Sequence, residues 1–129
     1  MARDPLAMLA RLRLTQVAAA QREMGARRAE ADAAAARAAA AAQALLAEGA
    51  AAPADYAAFL PRARAERDAA VSATQRAEAA LELARTGLAE ARTAERAVQE
   101  VAAQRRAAAR KKARQREQAL IDDWAPRPL

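Results

Sequence analysis

Residues 45–62 read LLAEGAAAPADYAAFLPR. This stretch decides the fold, because helix-forming sequence flanks it on both sides. Gly49 and Pro53 disfavour a continuing helix, since glycine and proline are the two poorest helix residues. Asp55 is a suitable cap for a short turn at 56–60, and Pro61 is suited to the first position of a new helix. The stretch therefore predicts a turn over 49–60 between two helices.

Working backward, Asp4-Pro5 gives a helix start, with aspartate as N-cap and proline at the first helical position. Gly25 lies inside at a cost of about 1 kcal/mol. The first helix is expected over 5–48. Working forward, no proline follows Pro61 until Pro126, so the second helix is expected over 61–124. At 1.5 Å per residue these helices are roughly 65 and 95 Å long. Joined by a short break, they predict an all-α antiparallel coiled-coil hairpin, one domain over 1–129.

Composition agrees. Alanine supplies most of the 54% hydrophobic fraction, and aromatics make up 2% of the 129 residues. Alanine is the best helix former and buries little area, so long helices with a thin seam are expected. A 3-4 pattern can be traced in the first helix through Leu14, Val17, Gln21, Met24, Arg28, Ala31, Ala35, Ala38, Ala42 and Leu45. In the second it passes through Arg67, Ala70, Thr74, Ala77, Leu81, Ala84, Leu88, Ala91, Glu95 and Val98. Facing residue numbers that sum to about 112 align the two rows as alternating large and small layers. Gly25 then faces Gly87, and the second helix runs unpartnered beyond residue 106 for about 27 Å.

That free end is where the charge lies. The chain carries a net charge of +6, and residues 105–116, RRAAARKKARQR, hold seven cations and no anion. The rest of the chain thus sums to −1. At 100° per residue the seven cations surround the helix and form no single stripe. Besides a plain solvated end, this arrangement suits insertion into an acidic or polar opening, or contact with nucleic acid. The aromatics stand at the extremities. Tyr56 and Phe59, with Leu45, Leu46 and Leu60, form a candidate contact at the tip. Leu6, Met8, Leu9 and Leu12 form a candidate base patch, expected to lie beside Leu120 and Ile121, with Trp124 near the far end.

Catalytic chemistry is sparse. There is no histidine or cysteine, the single serine is Ser72, and the three glycines are isolated. No enzymatic activity, metal or cofactor is expected. A hairpin of this kind is expected to lack the concave pocket of an active site. With no long bulky apolar run and no signal-peptide pattern, a cytoplasmic protein without direct membrane insertion is expected.

Three segments carry a resemblance. The start DPLAMLARLRLTQVAAAQREMGA, the tip DYAAFLPRARAERDAA and the tail RQREQALIDDWA resemble the FliJ family. These are coiled-coil stalk proteins of flagellar type III export, with YscO-type relatives in injectisomes. In the tail, Gln115, Arg116, Glu117, Gln118, Ala119, Leu120, Ile121, Asp122 and Asp123 match the family's ending. The resemblance implies a two-helix central stalk whose paired termini enter the pore of a hexameric export ATPase and promote its assembly or activity. It also implies links to the ATPase's stator, to the export-gate membrane protein and to export chaperones, at a site peripheral to the inner membrane. The pore residues would then be Leu6, Leu9, Arg110, Lys111, Lys112, Arg114, Arg116, Leu120, Ile121 and Trp124. Two other readings remain: a basic coiled coil that binds nucleic acid, and a purely structural coiled-coil subunit. Nucleic acid is disfavoured as a partner because the basic run has no interleaved aromatics for stacking.

Overall fold

A computed structural model describes residues 4–51 and 53–125, with side chains outside 51–55. The chain is a hairpin of two helices, α1 (Pro5–Ala51) and α2 (Pro53–Trp124), and no strand occurs among the described residues. With 47 and 72 residues, the helices measure about 70 and 108 Å.

The start of α1 is capped as its sequence suggests. The Asp4 carboxylate accepts the Leu6 amide at 3.0 Å, and the Asp4 carbonyl accepts the Met8 amide at 3.2 Å. The break is where structure and sequence part. α1 continues through Gly49 to Ala51, and α2 opens at Pro53, so helix occupies nearly all of the 49–60 expected as turn. Pro61 lies inside α2 and does not start it. Proline there removes one backbone hydrogen bond and crowds the preceding turn, which costs about 3 kcal/mol. Packing on both sides carries the helix through. Tyr56, Phe59 and Leu60 are half-buried and Ala63 is buried, spaced as one helical face, while Pro61 itself is exposed. The cap assigned to Asp55 and the stop assigned to Pro126 lie outside the described side chains and residues.

The interior is a thin seam of Val17, Ala31, Ala34, Ala63, Leu88 and Val98. On α2 every residue of the traced row from Arg67 to Val98 is buried or half-buried. On α1 the row of Val17, Met24, Ala31, Ala38 and Leu45 faces inward, but its companion row is displaced by one residue. Arg13, Ala20, Arg27, Ala34 and Ala41 line the seam, while Leu14, Gln21, Arg28, Ala35 and Ala42 are exposed. Leu14 stays 55% exposed, while the long side chains of Arg13 and Arg27 are half-buried on the inner side.

The register shifts as well. Segments 13–27 and 80–94 form opposite walls of one groove, with Ala20 and Gly87 at their midpoints. At the other end, a Cβ built on Gly49 would stand 3.0 Å from Tyr56 Cζ. Both observations fix an antiparallel pairing centred near residue 53 rather than 56. Gly25 and Gly87 are therefore not opposed, and a Cβ on either would meet nothing within 4 Å.

The accessible surface is 10278 Å². A compact monomer of 13.7 kDa exposes about 6,600 Å². The excess follows from the extended shape and leaves long helix faces available to partners.

Candidate interaction surfaces

The foot of the hairpin is set by where burial stops. Val98 is buried, Ala102 is half-buried, and every described residue from 103 onward is exposed. Residues 103–124 thus form a single helix about 33 Å long. This is longer than the sequence register implied, because the tighter turn pairs Leu6 with the region of residue 101 rather than 106.

Arg105, Arg106, Arg110, Lys111, Lys112, Arg114 and Arg116 stand on this segment and are all exposed. Around the helix axis they leave no gap wider than about 100°. None of the ion pairs among the described residues involves them. Arg106, Arg110 and Arg114 follow one another at four-residue steps, as do Lys112 and Arg116. Like charges at that spacing oppose the helix by about 0.2–0.5 kcal/mol per pair. Toward its end Gln118 donates to Asp122 at 2.9 Å, and the Ala125 amide donates to the Ile121 carbonyl at 2.9 Å. Leu120, Ile121 and Trp124 are exposed, Trp124 by 86%. Their i, i+1, i+4 spacing puts them on adjoining parts of one face.

The expected base patch does not form as one surface. Leu6, Met8, Leu9 and Leu12 sit at the foot of the paired region, with Leu6 half-buried and the others exposed. Leu120 and Ile121 lie further along α2 by about 28 Å. Antiparallel pairing forces this separation, since α1 begins where α2 still has more than six turns to run. The pore residues named from sequence therefore occupy three levels along one axis: an apolar foot, a basic middle and an apolar end.

At the tip, Leu45, Tyr56, Phe59 and Leu60 are half-buried and Leu46 is 76% exposed. Tyr56 packs over Gly49. The aromatic rings serve the helix pairing and still present an edge to solvent.

One surface was missed by the sequence reading. An open groove of about 720 Å³ runs between the helices, walled by Arg13, Gln16, Ala20, Glu23 and Arg27 on α1 and by Leu83, Gly87 and Glu90 among the α2 residues. Arg27 donates to Glu23 at 2.8 Å and to Glu30 at 3.1 Å, and the bond to Glu23, then that to Glu30, hold its pKa above the ordinary guanidinium value. Arg13 donates to Gln16 at 2.9 Å through one terminal nitrogen, while its buried Nε has no partner. The signal was present in the sequence: Leu83 and Gly87, one turn apart, fall outside the 67–98 seam row.

Among the described residues no three His, Cys, Asp or Glu side chains gather to hold a metal, and no helix is long and apolar enough to cross a membrane. No protein-family model, curated protein or solved structure matches the chain.

Proposed function

We propose that this chain is the central stalk of a type III protein export apparatus, in which the foot and basic end enter a hexameric export ATPase and promote its assembly or activity. The observation that carries the shaft-and-ring part of this reading is the single helix 103–124, exposed all round and carrying seven cations on every side. A ring encloses its axle, so each side of the axle needs charge. Six identical subunits cannot each match one asymmetric helix by shaped packing. Distributed charge tolerates that mismatch, because it acts over about 8 Å at physiological ionic strength.

The identity of the ring rests on the resemblance of the start, tip and tail segments to the FliJ family. In the same reading, the tip residues Leu45, Leu46, Tyr56, Phe59 and Leu60 face the export-gate membrane protein or export chaperones, and the ATPase's stator lies nearby. The protein then works in the cytoplasm, peripheral to the inner membrane.

The test replaces Arg110, Lys111, Lys112, Arg114 and Arg116 together by Gln and measures ATP hydrolysis by the host's export ATPase. Stimulation by the parent chain and its loss in the variant, with tip-mediated binding retained, is the expected result. Equal stimulation by both makes 105–116 a solvated end and sinks the proposal. Retention of nucleic acid by the parent, lost in the variant and falling steeply with salt, selects the nucleic-acid reading instead, since phosphate contacts release counterions.

A further inference from the structure

We infer that the groove face of α2 is a self-association surface that takes a second copy of this chain in an antiparallel, two-fold arrangement centred on Leu83. Leu83 is 75% exposed in the middle of the paired region, beside the bare backbone of Gly87, where a Cβ would meet nothing within 4 Å. A large apolar knob thus stands one turn from a notch in a groove of about 720 Å³.

The charges on this face choose the partner and its direction. Arg76, Leu83 and Glu90 follow at seven-residue intervals, so all three lie along one line of the helix. Arg76 and Glu90 are exposed, and neither takes part in an ion pair among the described residues. A two-fold axis beside Leu83 sets Arg76 of each copy opposite Glu90 of the other. A parallel pairing would set Arg76 against Arg76 and Glu90 against Glu90. The rest of the line is small, with Ala69, Ala80, Ala94 and Ala97 allowing close approach.

Side-chain direction completes the fit. A helical side chain leans toward the N-terminus of its own helix. In the antiparallel pair, Leu83 therefore leans over Gly87 of the other copy, and the same contact repeats across the axis. A surface that matches itself under a two-fold rotation is what a closed dimer needs. The contact runs along 69–97, about 42 Å of helix. A single helix face of this length places it among the smaller specific interfaces, below about 1,200 Å² in total, so a weak, concentration-dependent dimer is expected.

The experiment uses the full chain, which has no cysteine of its own. Leu83→Cys should give an intermolecular disulfide under mild oxidation, because facing Cα atoms on the axis come within the roughly 4.4–6.8 Å a disulfide spans. Ala89→Cys, exposed on a different side of α2, should not. In sedimentation equilibrium, Glu90→Arg should raise the dissociation constant at least about tenfold, since it brings like charges together twice per dimer. Arg76→Glu combined with Glu90→Arg should restore parent affinity. All variants should keep parent helicity by circular dichroism, as the substituted groups are exposed. A chain that stays monomeric at a few hundred micromolar overturns the inference, as does equal cross-linking at 83 and 89 or a double variant no better than Glu90→Arg alone. None of these results depends on the ATPase, so this inference and the stalk reading fail separately.

Discussion

Between Glu23 and Glu30, Arg27 bonds a carboxylate on either side of it. Between Arg106 and Arg114, each four-residue step brings another cation. The first segment belongs to the paired hairpin and the second to the single helix beyond it. Both are built on alanine and arginine. In the hairpin, Arg27, Arg62, Arg67 and Arg85 pair with carboxylates of their own helix, and the seam supplies the cohesion. In the overhang, charge opposes the helix that carries it and no seam exists. Such a segment holds self-repelling charge at some cost to its own stability, which supports the proposed insertion into a ring.

The sharpest way to break this comparison is to remove one leucine from each region. Leu88 is buried in the seam, whereas Leu120 is 61% exposed. Leu88→Ala should destabilise by about 2–4 kcal/mol, through lost burial and the gap left behind. Leu120→Ala should change stability by less than about 0.5 kcal/mol. Urea unfolding followed by circular dichroism reads both. Comparable losses would mean that the overhang folds onto something within the chain.

The two regions also differ in how far their sequence could be read. All of the α2 seam from Arg67 to Val98 was legible, because Leu81, Leu88 and Val98 fix its phase. The companion row on α1 was not. Ala34 and Ala35 are the same residue, as are Ala41 and Ala42, so either phase reads equally well across them. At the one informative place, Leu14 outranks Arg13 on hydrophobicity, yet the arginine stem takes the seam. The turn was misplaced for a related reason. Pro61 is a strong local signal, but Tyr56, Phe59, Leu60 and Ala63 extend the α2 row backward at the same spacing and override it. Extending both helices into 49–60 shifts the pairing and lengthens the overhang. Its charges were legible as a run, while the separation of Leu6 and Leu9 from Leu120 and Ile121 required the register.

The glycines sharpen the register. Gly25 is exposed, and a Cβ there meets open space. Gly25→Ala should therefore stabilise by up to about 1 kcal/mol, the difference in helix propensity. At Gly49 the added Cβ would stand 3.0 Å from Tyr56 Cζ, so the ring must give way. Gly49→Ala should gain little or lose stability. A thermal scan of the two variants orders them, and a destabilising Gly25→Ala would return Gly25 to a close helix crossing.

Arg27 carries the next smaller effect. Its two ion pairs are exposed, so water screens most of their attraction. Arg27→Gln should lower the melting temperature slightly, and part of that loss should vanish in 1 M salt, where screening shortens to about 3 Å. A loss unchanged by salt would assign the role of Arg27 to its stem over the seam rather than to its charge.

The smallest effect is expected where the charge is densest. Gln, Arg and Lys have nearly equal helix propensity, so replacing Arg110, Lys111, Lys112, Arg114 and Arg116 by Gln leaves that contribution almost unchanged. The substitution removes the four-residue repulsions of Arg106 with Arg110, Arg110 with Arg114, and Lys112 with Arg116, each worth about 0.2–0.5 kcal/mol. It breaks no ion pair among the described residues. The overhang should therefore become slightly more helical at low salt. Added salt should raise the helicity of the parent toward that of the variant, because screening removes the same repulsion. Amide exchange resolved along 103–124 reads the change directly, while the seam around Leu88 serves as an internal reference that should not move. If exchange instead quickens in the variant, the cations have favourable partners within the chain. The contrast between a hairpin held by its own seam and a helix that carries uncompensated charge would then no longer hold.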